Sequence, residues 1–180
     1  MIDIFFYAFL QIQVQNPELS VNTADKIDFS RLENLFESYK KFQKKYYKGS
    51  NIDLLTEIQE YATIFYKNIQ PYAAKETIEK NAGINRINVI MFGLETTTLI
   101  PYALYILKNL QDEEQKSQLF DIIESYVMRR IITNQTPKNY NQLFTDRFIG
   151  NSVLSREQFI SYINEKDDGV NLFPNDDLLF

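Results

Sequence analysis

With 180 residues, 44% hydrophobic and 24% charged, the chain has the size and mixture of one globular domain spanning 1–180, not of a disordered tail. It contains no Cys and no His, which excludes disulfides, thiolate nucleophiles, imidazole bases and metal sites built on sulfur or imidazole. A net charge of −5 and a pI near 4.9 argue against a generic nucleic-acid coat, which needs clustered positive charge.

Five Gly and five Pro are too few turn residues for a many-stranded β fold. The expected fold class is all-α: a single compact bundle of about seven to nine helices around a buried central pair of apolar helices. No segment reaches the roughly 18 apolar residues of a membrane span. The N-terminus shows neither a basic n-region nor a small-residue cleavage site, so a cytoplasmic protein with no membrane contact is expected.

In chain order, Ile2 to Val14 is apolar and aromatic and reads as a helix broken before Pro17. Ser20 to Asp28 is a polar mixture that reads as a loop. Ser30 and Glu33 have capping-box spacing, in which each side chain satisfies an orphan amide at a helix start. The helix that follows places Leu32, Leu35, Phe36, Tyr39, Phe42 and Tyr46 on one stripe and stops at Gly49. Asn51 is a cap for the next helix, in which Ile52, Leu55, Ile58, Ala62, Phe65 and Ile69 recur at helical spacing. These two helices are expected to form an antiparallel hairpin across Lys48–Asn51.

A shorter helix is expected from Pro71 to near Gly83. Ile84–Leu94 and Leu99–Leu107 are nearly continuous in apolar residues and are placed at the centre of the bundle. Thr96–Thr98 caps the second of these, where Pro101 is tolerated in the first turn. Asp112 opens a long helix through Leu119, Ile122, Ile123, Tyr126, Val127 and Ile131. Thr136-Pro137 reads as a cap followed by proline at the first helical position, with a helix to about Ile149. Ser155 with Gln158 starts another, to about Lys166. The chain ends on apolar Leu178-Leu179-Phe180, which suggests a piece excised from a longer protein.

Two clusters of charge are candidate sites. Lys40, Lys41, Lys44, Lys45 and Lys48 lie on one helix face, interleaved with Tyr39, Phe42, Tyr46 and Tyr47. Such a face can track a phosphate backbone, or it can be a solvated face whose lysines complement the helix dipole. In the Asp112 helix, with Leu119 at 0°, Ile123 falls at about 40°, Tyr126 at about −20° and Arg130 at about 20°. Arg130 therefore points down the apolar stripe and Arg129 sits at its edge. A guanidinium there requires a carboxylate or several carbonyls, and Glu95, Asp146, Asp176 and Asp177 are candidate partners. It is either a structural tie between helices or a group facing an anionic ligand or a neighbouring domain. The acidic clusters Asp112–Glu114, Asp167-Asp168 and Asp176-Asp177 lack the converging geometry of a metal site. There is no glycine-rich phosphate loop and no nucleophile elbow.

The run Ile123-Glu124-Ser125-Tyr126-Val127-Met128-Arg129-Arg130-Ile131-Ile132, then Thr136, Asn141 and Phe144, and finally Phe173-Pro174-Asn175-Asp176, resembles a known family. It is similar to the helical region of GmrSD-type restriction proteins, the modification-dependent (type IV) DNA endonucleases of bacteria. Members carry a Glu-Ser-Tyr-x-x-Arg-Arg helix, a following Thr-x-x-x-x-Asn-x-x-Phe segment and a Phe-Pro-x-Asp turn, preceded by an apolar helix containing Pro. The resemblance spans Leu94 to Phe180. Such proteins also have an N-terminal ParB-like nucleotide-binding domain with an Asp-Gly-Gln-Gln-Arg signature and commonly a C-terminal HNH nuclease domain. This chain has neither the signature nor the His that an HNH domain requires.

The resemblance thus implies a non-catalytic connecting domain of a phage-defence protein, with no cofactor of its own. Its partners would be the flanking nucleotide-binding and nuclease domains, and through them DNA. Glu124, Tyr126, Arg129, Arg130, Thr136, Asn141, Phe144, Phe173, Pro174 and Asp176 are the signature positions, expected at a helix-to-helix junction and not in a catalytic centre. The alternatives are a DNA-contacting module using the Lys40–Lys48 face and a helical protein-interaction domain.

Overall fold

The computed structural model describes residues 1–71, 78, 80–165 and 171–178. Among these there is no strand, and the elements are α1 (Ile2–Val14), α2 (Thr23–Phe29), α3 (Leu35–Lys45), α4 (Asn51–Asn68), α5 (Ile84–Asn88), α6 (Ile100–Asn109), α7 (Glu113–Ile132), a π-helix (Gln142–Ile149) and α8 (Arg156–Glu165). A second π-helical stretch, Val89–Gly93, continues α5 without a break. No helix among the described residues is long and apolar enough to cross a membrane.

The first helix is the axis of the fold. It touches α2, α3, α4, α6 and the π-helix Gln142–Ile149. Phe5, Ala8, Phe9 and Ile12 enter the larger core, whereas Leu10 and Val14 enter a smaller one with Val21, Phe29, Phe42 and Tyr46. Both expected apolar segments are buried in the larger core, Ile84–Gly93 through Ile87, Ile90 and Met91 and α6 through Ile100, Tyr102, Leu104 and Ile106. Pro101 sits in the first turn of α6, where its missing N–H costs nothing. Buried Asn88 ties α5 to the C-terminal end of α4, donating to the Asn68 carbonyl at 2.7 Å and accepting from the Gln70 amide at 3.2 Å.

Several boundaries depart from the sequence expectation, each for a local reason. Ser20–Asp28 is not a loop, since Asn22 accepts from the Asp25 amide and caps α2. Val21, Asp25 and Phe29 share its inward face, and the carboxylate in the middle interrupts the apolar pattern. Ser30 is no N-cap: it ends α2, its hydroxyl donating to the Ile27 carbonyl at 2.8 Å, and a short 3₁₀ turn at Leu32–Asn34 leads into α3. The capping box is formed by Ser50 and Asp53, so Ser50 and not Asn51 caps α4.

The hairpin expected between α3 and α4 does not form. Both pack on α1, and the pair has no comparable contact with each other. Phe42 and Tyr46 are buried as predicted, but Leu32, Phe36, Ile52 and Leu55 stay exposed, and Leu54, Tyr61 and Phe65 are the buried side chains of α4. The helix expected over Pro71–Gly83 falls largely outside the described residues. Thr136 does not cap a helix; its hydroxyl accepts from the Lys138 amide, and helical structure begins at Tyr140. The Asp112 cap of α7 and the Ser155–Gln158 box of α8 form as expected.

Candidate functional site

The C-terminal turns of α7 gather most of the signature residues. Arg130 is 1% exposed and lies between the rings of Tyr126 and Tyr140, with its guanidinium carbon 5.4 and 5.6 Å from their centroids. Its guanidinium donates to the Gln135 side-chain oxygen at 2.8 Å, the Thr136 carbonyl at 2.9 Å and the Leu172 carbonyl at 3.2 Å. Its Nε has no acceptor, and no carboxylate pairs with it among the described residues.

Backbone geometry explains how these acceptors arrive. After Ile132, Asn134 takes a left-handed conformation with φ 55°. The Gln135 amide then donates back to the Arg130 carbonyl at 2.8 Å and the Asn134 amide to that of Ile131 at 3.1 Å. This Schellman arrangement folds Gln135 and Thr136 back over the side chain of Arg130.

Arg129 holds the C-terminal segment from outside. It donates to Asp176 at 2.6 Å and to the Pro174 carbonyl at 3.1 Å, and its guanidinium lies 5.9 Å from the Phe173 ring centroid. Tyr126 completes the junction: its hydroxyl donates to the Asn171 carbonyl at 3.0 Å. Its ring meets Tyr140, Phe144, Phe159 and Phe173 at 5.6 to 6.4 Å. Phe144 is fully buried and also stacks on Tyr102 of α6.

The remaining signature positions tie α7 and the π-helix to other elements. Glu124 accepts from both Nε and a terminal nitrogen of Arg86 on α5, the bidentate geometry in which Arg–carboxylate pairs are strongest. The Asn141 amide oxygen faces the Tyr7 hydroxyl of α1 and accepts from Thr145. Burial pushes the Tyr7 hydroxyl above its ordinary titration range. Of the four candidate partners for Arg130, Asp176 belongs to Arg129, Asp146 accepts from Gln15, and the charge is met by neutral oxygens and rings.

Three of the five lysines of the basic face are paired with carboxylates of the chain itself. Lys41 and Lys45 each approach Asp25 of α2 at 2.6 Å, and Lys41 also reaches Asp28 at 3.2 Å. Lys40 pairs with Glu37 and lies over the Phe36 ring, while Lys48 donates to the Glu18 carbonyl. The ammonium groups of Lys41 and Lys45, with the Tyr46 hydroxyl, hold the Asp25 carboxyl far below the usual carboxylate range. Tyr46 and Phe42 are core side chains, so they offer no stacking platform.

The acidic clusters play local parts. Asp112 caps α7 and Glu113 pairs with Lys116, while Asp167-Asp168 falls outside the described residues. Among the described residues no three carboxylates converge as a metal site would require. Sequence reasoning missed Asp25, Gln135 and Arg86. Asn134, two residues past the last apolar residue of α7, is the sequence signal from which the reversal over Arg130 could have been read. No family model, curated protein or solved structure matches the chain.

Proposed function

We propose that the chain is a non-catalytic helical connecting domain and, on the resemblance of Leu94–Phe180 to GmrSD-type proteins, that it serves a bacterial modification-dependent restriction system. In that role it holds nucleotide-binding and nuclease domains in register, and the hydrolytic chemistry and its cofactors belong to those domains. The observation that carries the proposal is where the Glu-Ser-Tyr-x-x-Arg-Arg stretch spends its polar groups. Glu124 goes to Arg86, Tyr126 to Asn171, Arg129 to Asp176 and Arg130 to the carbonyls of Thr136 and Leu172. A signature consumed in joining elements fits a part whose task is rigidity, since positioning demands side chains locked by packing and hydrogen bonds.

The DNA-contacting alternative is supported less well, because Asp25, Asp28 and Glu37 already answer three of its five lysines. The deciding experiment is a fluorescence anisotropy titration against duplex DNA, plain and cytosine-modified, at low and high salt. The connecting-domain proposal expects no salt-sensitive binding. Binding that weakens steeply with salt and disappears when Lys40, Lys41, Lys44, Lys45 and Lys48 become Gln would overturn it in favour of a DNA-contacting module.

A further inference from the structure

Because α3 and α4 both rest on α1, they leave a groove between them, with α1 as its floor. The groove encloses about 480 Å³ and is lined by Phe6 of α1, Leu32, Leu35, Phe36 and Tyr39 leading into and along α3, and Ile58 of α4. Its floor is rigid. The Tyr39 hydroxyl donates to the Phe6 carbonyl at 2.7 Å, and the two rings meet edge to face at 5.6 Å. Its walls are open: Phe36 is 70% and Leu32 48% exposed. The apolar lining continues beyond the cavity, with Ile2 one turn before Phe6 and Leu55 one turn before Ile58, both exposed.

The α3 stripe is therefore only partly covered. Leu35, Tyr39, Phe42 and Tyr46 pack on the cores, whereas Leu32 and Phe36 stay exposed. A trough between two helices over a third is the space another helix fills, with side chains at i, i+3 or i+4 and i+7 as anchors. The charge at the rim selects its composition. Asp3 and Glu33 line the groove, and neither has an ion-pair partner among the described residues. The Lys40 ammonium, 4.4 Å from the centroid of the Phe36 ring, is already answered by Glu37.

We infer that this groove is a docking site for an amphipathic helix whose apolar stripe is flanked by Lys or Arg. The inference does not depend on the restriction reading. The apolar anchors seat against Phe6, Phe36 and Ile58, and the basic flank meets Asp3 and Glu33. Apolar burial supplies most of the affinity, and the two carboxylates set the sign of the partner and the approach rate.

The test uses the intact chain and a fluorescently labelled helical peptide of alternating Leu and Lys turns, followed by anisotropy. The peptide binds, Phe36→Ser weakens it at least tenfold, and Asp3→Asn with Glu33→Gln weakens it severalfold and flattens its salt dependence. A peptide of the same pattern with Glu for Lys does not bind. Phe36 is exposed, so Phe36→Ser is expected to keep the wild-type circular dichroism, which is checked first. Three results each overturn the inference: no binding of the Leu–Lys peptide, binding indifferent to Phe36→Ser, or equal binding of the Glu peptide. Sedimentation velocity covers the remaining occupant. A dimer that Phe36→Ser dissociates would assign the groove to a second copy of this chain.

Discussion

Replacing Arg130 is the most informative single perturbation of the α7 junction. The side chain gives three hydrogen bonds to neutral oxygens and lies between two rings, and no carboxylate offsets its charge. Hydrogen bonds from a charged donor contribute about 1.5–3 kcal/mol each, and a desolvated cation–π contact about 2 kcal/mol. Against these stands the several kcal/mol that it costs to bury a cation. Truncation to Ala removes both sides of that balance but strands two carbonyls and an amide oxygen, at about 1–3 kcal/mol each, and opens a cavity. A net loss of about 4 kcal/mol is expected for Arg130→Ala, or a fall in Tm of about 8–16 °C at this chain length.

Arg130→Met fills the space without donating and isolates the polar contribution, expected at about 2–3 kcal/mol. Arg129→Ala removes a partly exposed ion pair, the hydrogen bond to the Pro174 carbonyl and the contact with the Phe173 ring, and is expected to cost about 1–2 kcal/mol, less than Arg130→Ala. Thermal melts followed by far-UV circular dichroism separate the three variants. If Arg130→Ala melts within about a degree of wild type, the junction does not hold the C-terminal segment, and the reasoning from its hydrogen bonds is refuted.

Asp25 makes the α2–α3 contact acid-sensitive in a defined direction. Its folded titration point lies below the unfolded value of about 3.9, so its contribution is complete above that value and is lost only as pH falls through the lower folded point. Tyrosine fluorescence between neutral and strongly acid pH should show that loss in the wild type and not in Asp25→Asn. Burial, with the hydrogen bond to Glu57, pushes the Tyr47 hydroxyl up to about 12. Its contribution is intact below about 10 and lost as pH rises through the folded value, and Tyr47→Phe should remove one late-titrating group from the alkaline tyrosinate absorbance curve. Gly150→Ala would drive a Cβ into the Asp146 backbone carbonyl oxygen. Because backbone must shift there, urea denaturation should register a loss of about 1–3 kcal/mol.

What was legible in the sequence was periodicity and its inward faces. The apolar pair of Ile84–Leu94 and Leu99–Leu107, the start of α7 at Asp112 and the inward course of Arg130 all follow from spacing and capping alone, because each depends on residues within a few turns of one another. Register between helices was not legible. The α3 stripe looks uniform, yet Leu32 and Phe36 stay exposed while Leu35 packs on the smaller core, since α1 and α2, and not α4, are the neighbours of α3. The π-helix Gln142–Ile149 was also hidden. Phe144 and Phe148 lie 5.7 Å apart between Tyr102 and Phe159, as they would at the same i, i+4 spacing of an α-helix, so the apolar pattern does not tell the two helix types apart.

The lysine face shows the same limit in electrostatic form. Lys41 and Lys45 are one helical turn apart, so a single carboxylate placed opposite that turn can answer both. Asp25 is that carboxylate, and it comes from the segment whose pattern reads as a loop because its inward position is charged. One residue thus hid the helix that carries it and left the basic cluster looking unopposed. The reverse holds at Asp3 and Glu33, which stand beside exposed apolar side chains with no ion-pair partner among the described residues. Three of the five lysines of the basic face are paired with carboxylates of the chain itself, and the groove between α3 and α4 joins two carboxylates without an ion-pair partner among the described residues to exposed apolar surface. A binding role argued from charge alone points to the Lys40–Lys48 face, and one argued from both charge and apolar exposure points to the groove.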